Sequence, residues 1–331
     1  MNRFALTKPG SFEEAAGALQ DNKRFSLPVI KAGGIDLLDQ LKEGLVEPDA
    51  LIDVKPLARR ADQPMITEVA GRIRIKATTT LAEIAASPLL RRSAPALSQS
   101  VDDAASPAVR NVATVAGNLL QRPRCWYYRN IKFRCLKKGG YTCYAMEGEN
   151  RYHAIFHEGP CVIVHPSNLA PALHVLDAQV HLIGGERDSL PIAGLFHMPF
   201  EGILTEHNLK PSELVTHITC SPSPTSGFYA IKERLSFDWP VAMAAVALEM
   251  ERDVIRSARV CAGAVAPVPH PLPEVEQALT GKSVHDDDQI KAACALASKG
   301  AEPLEQNGYK VKLLPVAVRR AIMNAARRDQ P

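Results

Sequence analysis

The sequence lacks any apolar run long enough for a membrane span: even Val241–Met250 is followed by charge at Glu251, with Glu249 inside it, where a span needs about 18 uninterrupted apolar residues. It lacks an export-signal core as well, because Phe4, Ala5 and Leu6 run straight into Lys8, Pro9 and Gly10. The reading is a chain without membrane insertion and without an export signal of its own. Charge of one sign is scarce: 39 Lys and Arg stand against 36 Asp and Glu, a net +3, so nothing in the overall balance calls for a polyanionic partner. Internal repeats and low-complexity segments are absent, and so are the GxGxxG fingerprint and the close CxxC pairs common in structural zinc sites. Without a secretory signal, the seven cysteines read as reduced thiols, metal ligands or core residues before disulfides.

What is present is ordinary globular material. An apolar fraction of 46% with 23% charged residues supports a packed core, and 331 residues exceed what one core usually serves. Leu27–Lys31 reads as a strand that turns at Ala32-Gly33-Gly34 into a helix carrying Leu37, Leu38 and Leu41. Ala50–Val54 and the alternating Gly71–Thr78 read as further strands, with Thr80 capping a helix from Leu81. Helix is expected over Leu89–Ala105, strand at Cys161–Val164, and a helix capped by Ser167 over Leu169–Leu176. Strands follow at Ala178–Ile183 and Leu214–Cys220. The Pro- and Ser-rich stretch Ser221–Gly227 marks a domain boundary. Beyond it come strands at Phe228–Ile231, Val241–Met250 and Ala258–Ala266, then helices near Pro273–Leu279, Gln289–Ser298 and Val316–Ala326.

A strand turning on Gly33 and Gly34 into a helix offers bare backbone N–H groups at a positive helix end, a cradle for a pyrophosphate. Taken alone, such a turn is more often plain chain reversal. A second small-residue segment, Thr114-Val115-Ala116-Gly117-Asn118-Leu119 after Arg110-Asn111, changes the reading. These segments occur in order with Leu51-Ile52-Asp53, Ile73-Arg74-Ile75, His165-Pro166-Ser167-Asn168-Leu169, Arg234–Pro240 and Gly263–Pro269. The series resembles the FAD subunit of the xanthine dehydrogenase family over essentially the whole chain.

That resemblance implies an α+β chain. A two-part FAD-binding domain of the PCMH or vanillyl-alcohol-oxidase type would occupy 1–221, and a C-terminal flavoprotein domain of three antiparallel strands and three helices would occupy 227–331. It places the FAD pyrophosphate on Lys31, Ala32, Gly33, Gly34, Ile35, Asp36 and Leu37, with further cofactor contacts at Thr114, Gly117, Asn118, Asn168 and Lys232. Two positions depart from the family pattern: Ile35 stands where Thr is usual, and Asn168 where Asp is usual.

Four cysteines, Cys125, Cys135, Cys143 and Cys161, cluster after the second glycine loop, separated by nine, seven and seventeen residues. Four thiolates hold zinc or an iron-sulfur cluster. Cys220, Cys261 and Cys294 lie in apolar strand or helix patterns and read as core. The insert, at about 121–161, is similar to that of the aldehyde oxidoreductase and 4-hydroxybenzoyl-CoA reductase branch of the family, which implies a 4Fe-4S cluster on those four cysteines. A rival reading comes from the interleaving of Arg122, Arg124, Arg129, Lys132, Arg134, Lys137 and Lys138 with Trp126, Tyr127, Tyr128 and Phe133, the composition of a zinc-stabilised nucleic-acid surface. It leaves both glycine loops unexplained, so no nucleic-acid partner is expected.

The resemblance further implies a partner subunit with molybdenum cofactor, a second with 2Fe-2S centres, and electron flow through FAD to an acceptor. No catalytic acid, base or nucleophile is expected here, since cofactors carry that chemistry, and His153, His157 and His165 read as structural or surface groups. The aromatic residues of the insert either face a partner or cover the cluster. The expected location is the cytoplasm, or the periplasm by co-export with a signal-bearing partner.

Overall fold

A computed structural model describes residues 2–21, 23–57, 64–102, 104–234 and 237–326. Asp103, Leu235 and Ser236, and residues 327–331 of the expected C-terminal domain, lie outside the described residues. Strands β1 (Ala5–Thr7), β2 (Pro28–Lys31) and β3 (Ala50–Asp53) form a parallel sheet in the order β1-β3-β2. Parallel neighbours need crossovers, and the helices Phe12–Gln20 and Ile35–Lys42 supply them. The glycine turn therefore falls at the C-terminal end of β2, where a helix begins.

The second sheet is antiparallel, with the order β4-β5-β8-β6-β7, built from β4 (Ile66–Val69), β5 (Arg72–Lys76), β6 (Gln179–Ile183), β7 (Ser189–Pro191) and β8 (Leu214–Cys220). Between β5 and β6 the chain makes a long excursion that carries the second glycine loop and all four clustered cysteines. The excursion is anchored at its start. Thr80 caps the helix Leu81–Ala86 in a reciprocal box with Glu83, and the N–H groups of Val115 and Ala116 bond back to the carbonyls of Thr79 and Ala77.

Strands β9 (Ser226–Lys232), β10 (Pro240–Glu251), β11 (Val254–Gly263) and β12 (His270–Pro271) form the C-terminal antiparallel sheet in the order β12-β11-β10-β9, followed by the helices Pro273–Leu279, Asp287–Ala295 and Tyr309–Ala326. The unbroken apolar run of β10 has a cause. Ala242, Ala244, Val246 and Leu248 join the core under the C-terminal helices. Met243, Ala245 and Ala247 join the core packed against the β4-β5-β8-β6-β7 sheet. A strand buried on both faces has no polar phase to display.

Three expectations are corrected. The C-terminal sheet has a fourth strand, His270–Pro271, paired with Cys261 and Ala262; the prolines at 267, 269 and 271 gave it the look of a plain loop. The helix Leu89–Ala105 is two helices, Pro88–Ser93 and Pro95–Asp102, because Pro95 cannot continue the first. Cys161–Val164 is no strand: the Val162 carbonyl accepts from Ala154 N–H in the neighbouring loop rather than from a sheet. No helix of the described residues is long and apolar enough to cross a membrane.

Candidate functional site

The two glycine loops meet. A Cβ on Gly33 would lie 2.2 Å from the Val112 carbonyl oxygen, so only glycine allows the first loop to touch the backbone leading into the second. Gly34 holds φ 81° as the cap of the helix Ile35–Lys42 and has no side chain to bond its first turn. The N–H groups of that turn have no helical carbonyl four residues back to bond, and Ala32, Gly33, Gly34, Ile35, Asp36 and Leu37 line a cavity of about 660 Å³. Lys31 lies outside this lining, in an ion pair with Asp53 at 3.0 Å. Ile35 brings no hydroxyl, but its backbone N–H needs none.

Thr114, Gly117 and Asn118 line the same cavity. Thr114 caps the helix Val115–Leu119 by accepting from Gly117 N–H. The Asn118 carbonyl group of the side chain accepts from the Ser167 hydroxyl at 2.6 Å. Ser167 in turn accepts from Ala170 N–H at 3.0 Å, in the first turn of the helix Leu169–Val175, whose N-cap is Asn168 rather than the expected Ser167. Asn168 also lines the cavity, buried, and its amide donates to the Ser100 carbonyl at 3.1 Å. An aspartate there would set a carboxylate against that carbonyl, which gives the departure from Asp a local reason. Lys232 does not line the cavity; it pairs across the sheet with Pro240, which does. Sequence reading named no role for Phe237, Asp238 and Trp239, which close the cavity from the C-terminal domain, although they stand inside the motif Arg234–Pro240.

Asp36 ties the first glycine loop to the cysteine insert. Its carboxylate accepts from Arg122 N–H at 2.9 Å and from Gln40 at 2.9 Å, and pairs with Arg124 at 2.9 Å and Arg129 at 2.6 Å. Arg124 lines the cavity, stacks 4.7 Å over the Trp239 ring, and is the residue before Cys125. Asp36→Ala would leave two guanidinium groups together with no carboxylate but the more exposed Asp39. We expect a loss of roughly 2–3 kcal/mol, below the full range for a buried pair because water still reaches the site. Urea unfolding checks it, and an unchanged midpoint would refute the tie.

Cys125, Cys135, Cys143 and Cys161 line one small cavity together with Tyr127, Tyr128 and His153. Burial pushes the Cys125 thiol up to about 11. Cys143 and Cys161 act on each other and shift in opposite directions, Cys143 down and Cys161 up. Among the described residues no group of three or more His, Cys, Asp or Glu side chains is placed so as to hold a metal ion. Cys220 and Cys261 belong to one hydrophobic core and Cys294 to another; burial pushes the Cys220 and Cys294 thiols up to about 12 and raises Cys261, the environment of an inert structural thiol.

Five of the seven basic residues singled out in the insert are held by partners. Arg124 and Arg129 face Asp36 and Asp39, Arg122 and Lys137 converge on the buried Glu206 at 2.8 Å each, and Lys138 donates to the Tyr127 and Asn130 carbonyls. The Tyr127 ring packs against Phe133 and Tyr144 at 5.0 and 5.9 Å, and Tyr128 is buried under the Arg122 and Arg129 guanidiniums. These rings and cations therefore pack within the chain itself. Trp126 is the most open of the four aromatic residues singled out, at 36% exposure.

The chain matches the model of the FAD binding domain in molybdopterin dehydrogenase over residues 2–220 and that of the CO dehydrogenase flavoprotein C-terminal domain over residues 227–325. It is 34% identical over 289 residues to the aldehyde oxidoreductase FAD-binding subunit PaoB of Escherichia coli (strain K12), covering 85% of this chain and 86% of that one. Its fold is similar to a chain of carbon monoxide dehydrogenase from Hydrogenophaga pseudoflava, with a TM-score of 0.74 at 22% identity over 98% of this chain and 97% of that one. A chain of quinoline 2-oxidoreductase from Pseudomonas putida 86 superimposes with the same TM-score of 0.74 at 21% identity, again over 98% and 97% of the two chains.

Proposed function

Because the chain belongs to the FAD-binding subunits of the molybdenum hydroxylases, the xanthine dehydrogenase family, we propose that it holds one non-covalent FAD and one 4Fe-4S cluster and relays electrons from a partner's 2Fe-2S centres to an acceptor. When bound, the flavin exchanges electrons singly or in pairs and the cluster exchanges them singly. The chain's own residues bind, orient and shield. Gly33, Gly34 and the backbone N–H groups of Ile35, Asp36 and Leu37 are the cradle suited to the FAD diphosphate. Thr114, Gly117, Asn118 and Asn168 hold the opposite wall, and Lys31 and Lys232 act from outside the lining. Cys125, Cys135, Cys143 and Cys161, which line one cavity, are the ligands suited to the cluster, because four thiolates are the usual iron-sulfur ligand set.

One observation carries the reading. Both glycine loops line a single cavity, and the four-cysteine cavity begins one residue beyond its wall, from Arg124 to Cys125. We place the FAD-type domain at 1–221 and the C-terminal domain at 227–331, with the insert at about 121–161. Trp126, at the edge of the insert, is the aromatic contact offered to a subunit bearing molybdenum cofactor or 2Fe-2S centres. The complex works in the cytoplasm, or in the periplasm after co-export with a signal-bearing partner.

The test is to express the chain alone and with its neighbouring genes, and to assay aldehyde or N-heterocycle oxidation with an artificial dye. Dye reduction is expected only in the co-purified complex. Substrate oxidation by the isolated chain would overturn the reading.

A further inference from the structure

His153 does not behave as an ordinary buried histidine. Its Nε2 lies 3.2 Å from Cys125 Sγ, and its Nδ1 is buried with no partner. The ring is flanked by Trp126 and Tyr127 at 5.9 and 6.5 Å. His165, by comparison, turns its Nε2 to the Leu119 carbonyl and its Nδ1 to the Ser167 N–H.

The proton of the His153 ring can be placed. A cysteine that ligates iron is a thiolate and only accepts. A neutral imidazole has one N–H. On Nδ1 it would be a buried donor with no acceptor, while two lone pairs faced each other across the Nε2 to Sγ contact. On Nε2 it meets the sulfur and leaves only an acceptor unpaired, the smaller cost. A protonated ring would also donate from Nε2, so the donor does not depend on the charge of the ring.

The C-terminal domain sets the position of this ring. Asn307, fully buried, donates to the carbonyls of His153 and Ala154 at 3.2 and 3.0 Å. Lys310, fully buried in the helix Tyr309–Ala326, donates to the Tyr152 carbonyl at 2.9 Å and to the Ala264 carbonyl at 2.8 Å. The three carbonyls from 152 to 154 are thus clamped from outside the insert. A side chain held this firmly against one ligand, with its other nitrogen unsatisfied, is placed for that ligand.

We infer that His153 is a positioning residue that donates a hydrogen bond from Nε2 to Cys125 and thereby raises the reduction potential of the cluster, an inference that rests on the cluster reading above. A hydrogen bond to a cluster sulfur stabilises the more negative, reduced form. The effect acts through Cys125 and needs no contact with flavin or substrate.

The test is an EPR-monitored redox titration of the anaerobically purified full chain, with His153→Leu and His153→Gln. His153→Leu removes the donor and should shift the midpoint negative by roughly a tenfold change in the electron equilibrium, about 59 mV for a one-electron couple. His153→Gln keeps an N–H and should stay closer to the parent. Pulsed EPR of the parent should detect an exchangeable proton coupled to the reduced cluster, a readout that stands even where the Leu variant fails to fold. Equal shifts in both variants, no shift in either, or no such proton in the parent would overturn the inference. A parent without iron would sink the cluster reading itself, a distinct outcome.

Discussion

Gly33→Ala should leave the subunit essentially without flavin. The added Cβ would stand 2.2 Å from the Val112 carbonyl oxygen and 3.0 Å from its carbon. Both are backbone atoms, so the clash cannot be relieved by turning a side chain, and the two glycine loops must part. Forced overpacking costs roughly 1–3 kcal/mol where neighbours can yield; each 1.4 kcal/mol taken from the bound state is about tenfold in affinity. We expect FAD affinity to fall by on the order of a hundredfold, read by flavin fluorescence on titration of the apoprotein. Gly33→Asp should go further, because it adds a negative charge where the diphosphate would lie. Gly17→Ala is the control: a Cβ there meets nothing within 4 Å, and inside the helix Phe12–Gln20 the change should be neutral or stabilising by up to about 1 kcal/mol. Full flavin occupancy in Gly33→Ala would show that the loop contact does not support the cofactor.

Serine scanning should divide the seven cysteines into two classes. At Cys125, Cys135, Cys143 or Cys161 the change removes a soft thiolate from the cavity that all four line, and iron and acid-labile sulfide should fall to near background, or to a damaged cluster that air destroys. At Cys220, Cys261 and Cys294 the change puts a hydroxyl among apolar neighbours and should cost roughly 1–3 kcal/mol of stability with iron unchanged. The two effects need separate measurements, metal analysis and urea unfolding. Iron loss from Cys261→Ser in a folded protein, or full iron in Cys135→Ser, would break the ligand assignment.

The residues differ in how far sequence alone could place them. Gly33 and Gly34 announce a strand-to-helix turn, and β10 announces itself by eight or so apolar residues in a row. The contact of Gly33 with Val112 joins positions far apart in the chain, so no local pattern could show that the turn is also a junction. Asp36 looked like one more residue of the glycine loop; its pairing with Arg124 and Arg129 emerges only when the insert folds back over the helix Ile35–Lys42. His153 reads in the sequence as a structural or surface group, and its partner Cys125, 28 positions away, is not visible in any local pattern. The fourth C-terminal strand was hidden by prolines. Burial and alternation were legible in the sequence, whereas contacts made by long-range return of the chain were not.

The most direct test of the central claim is flavin, iron, sulfide and zinc analysis of this chain purified anaerobically, together with its absorption spectrum. The account predicts about one acid-releasable FAD with about four irons and four sulfides per chain. No flavin after incubation with FAD, or stoichiometric zinc in place of iron and sulfide, would contradict it.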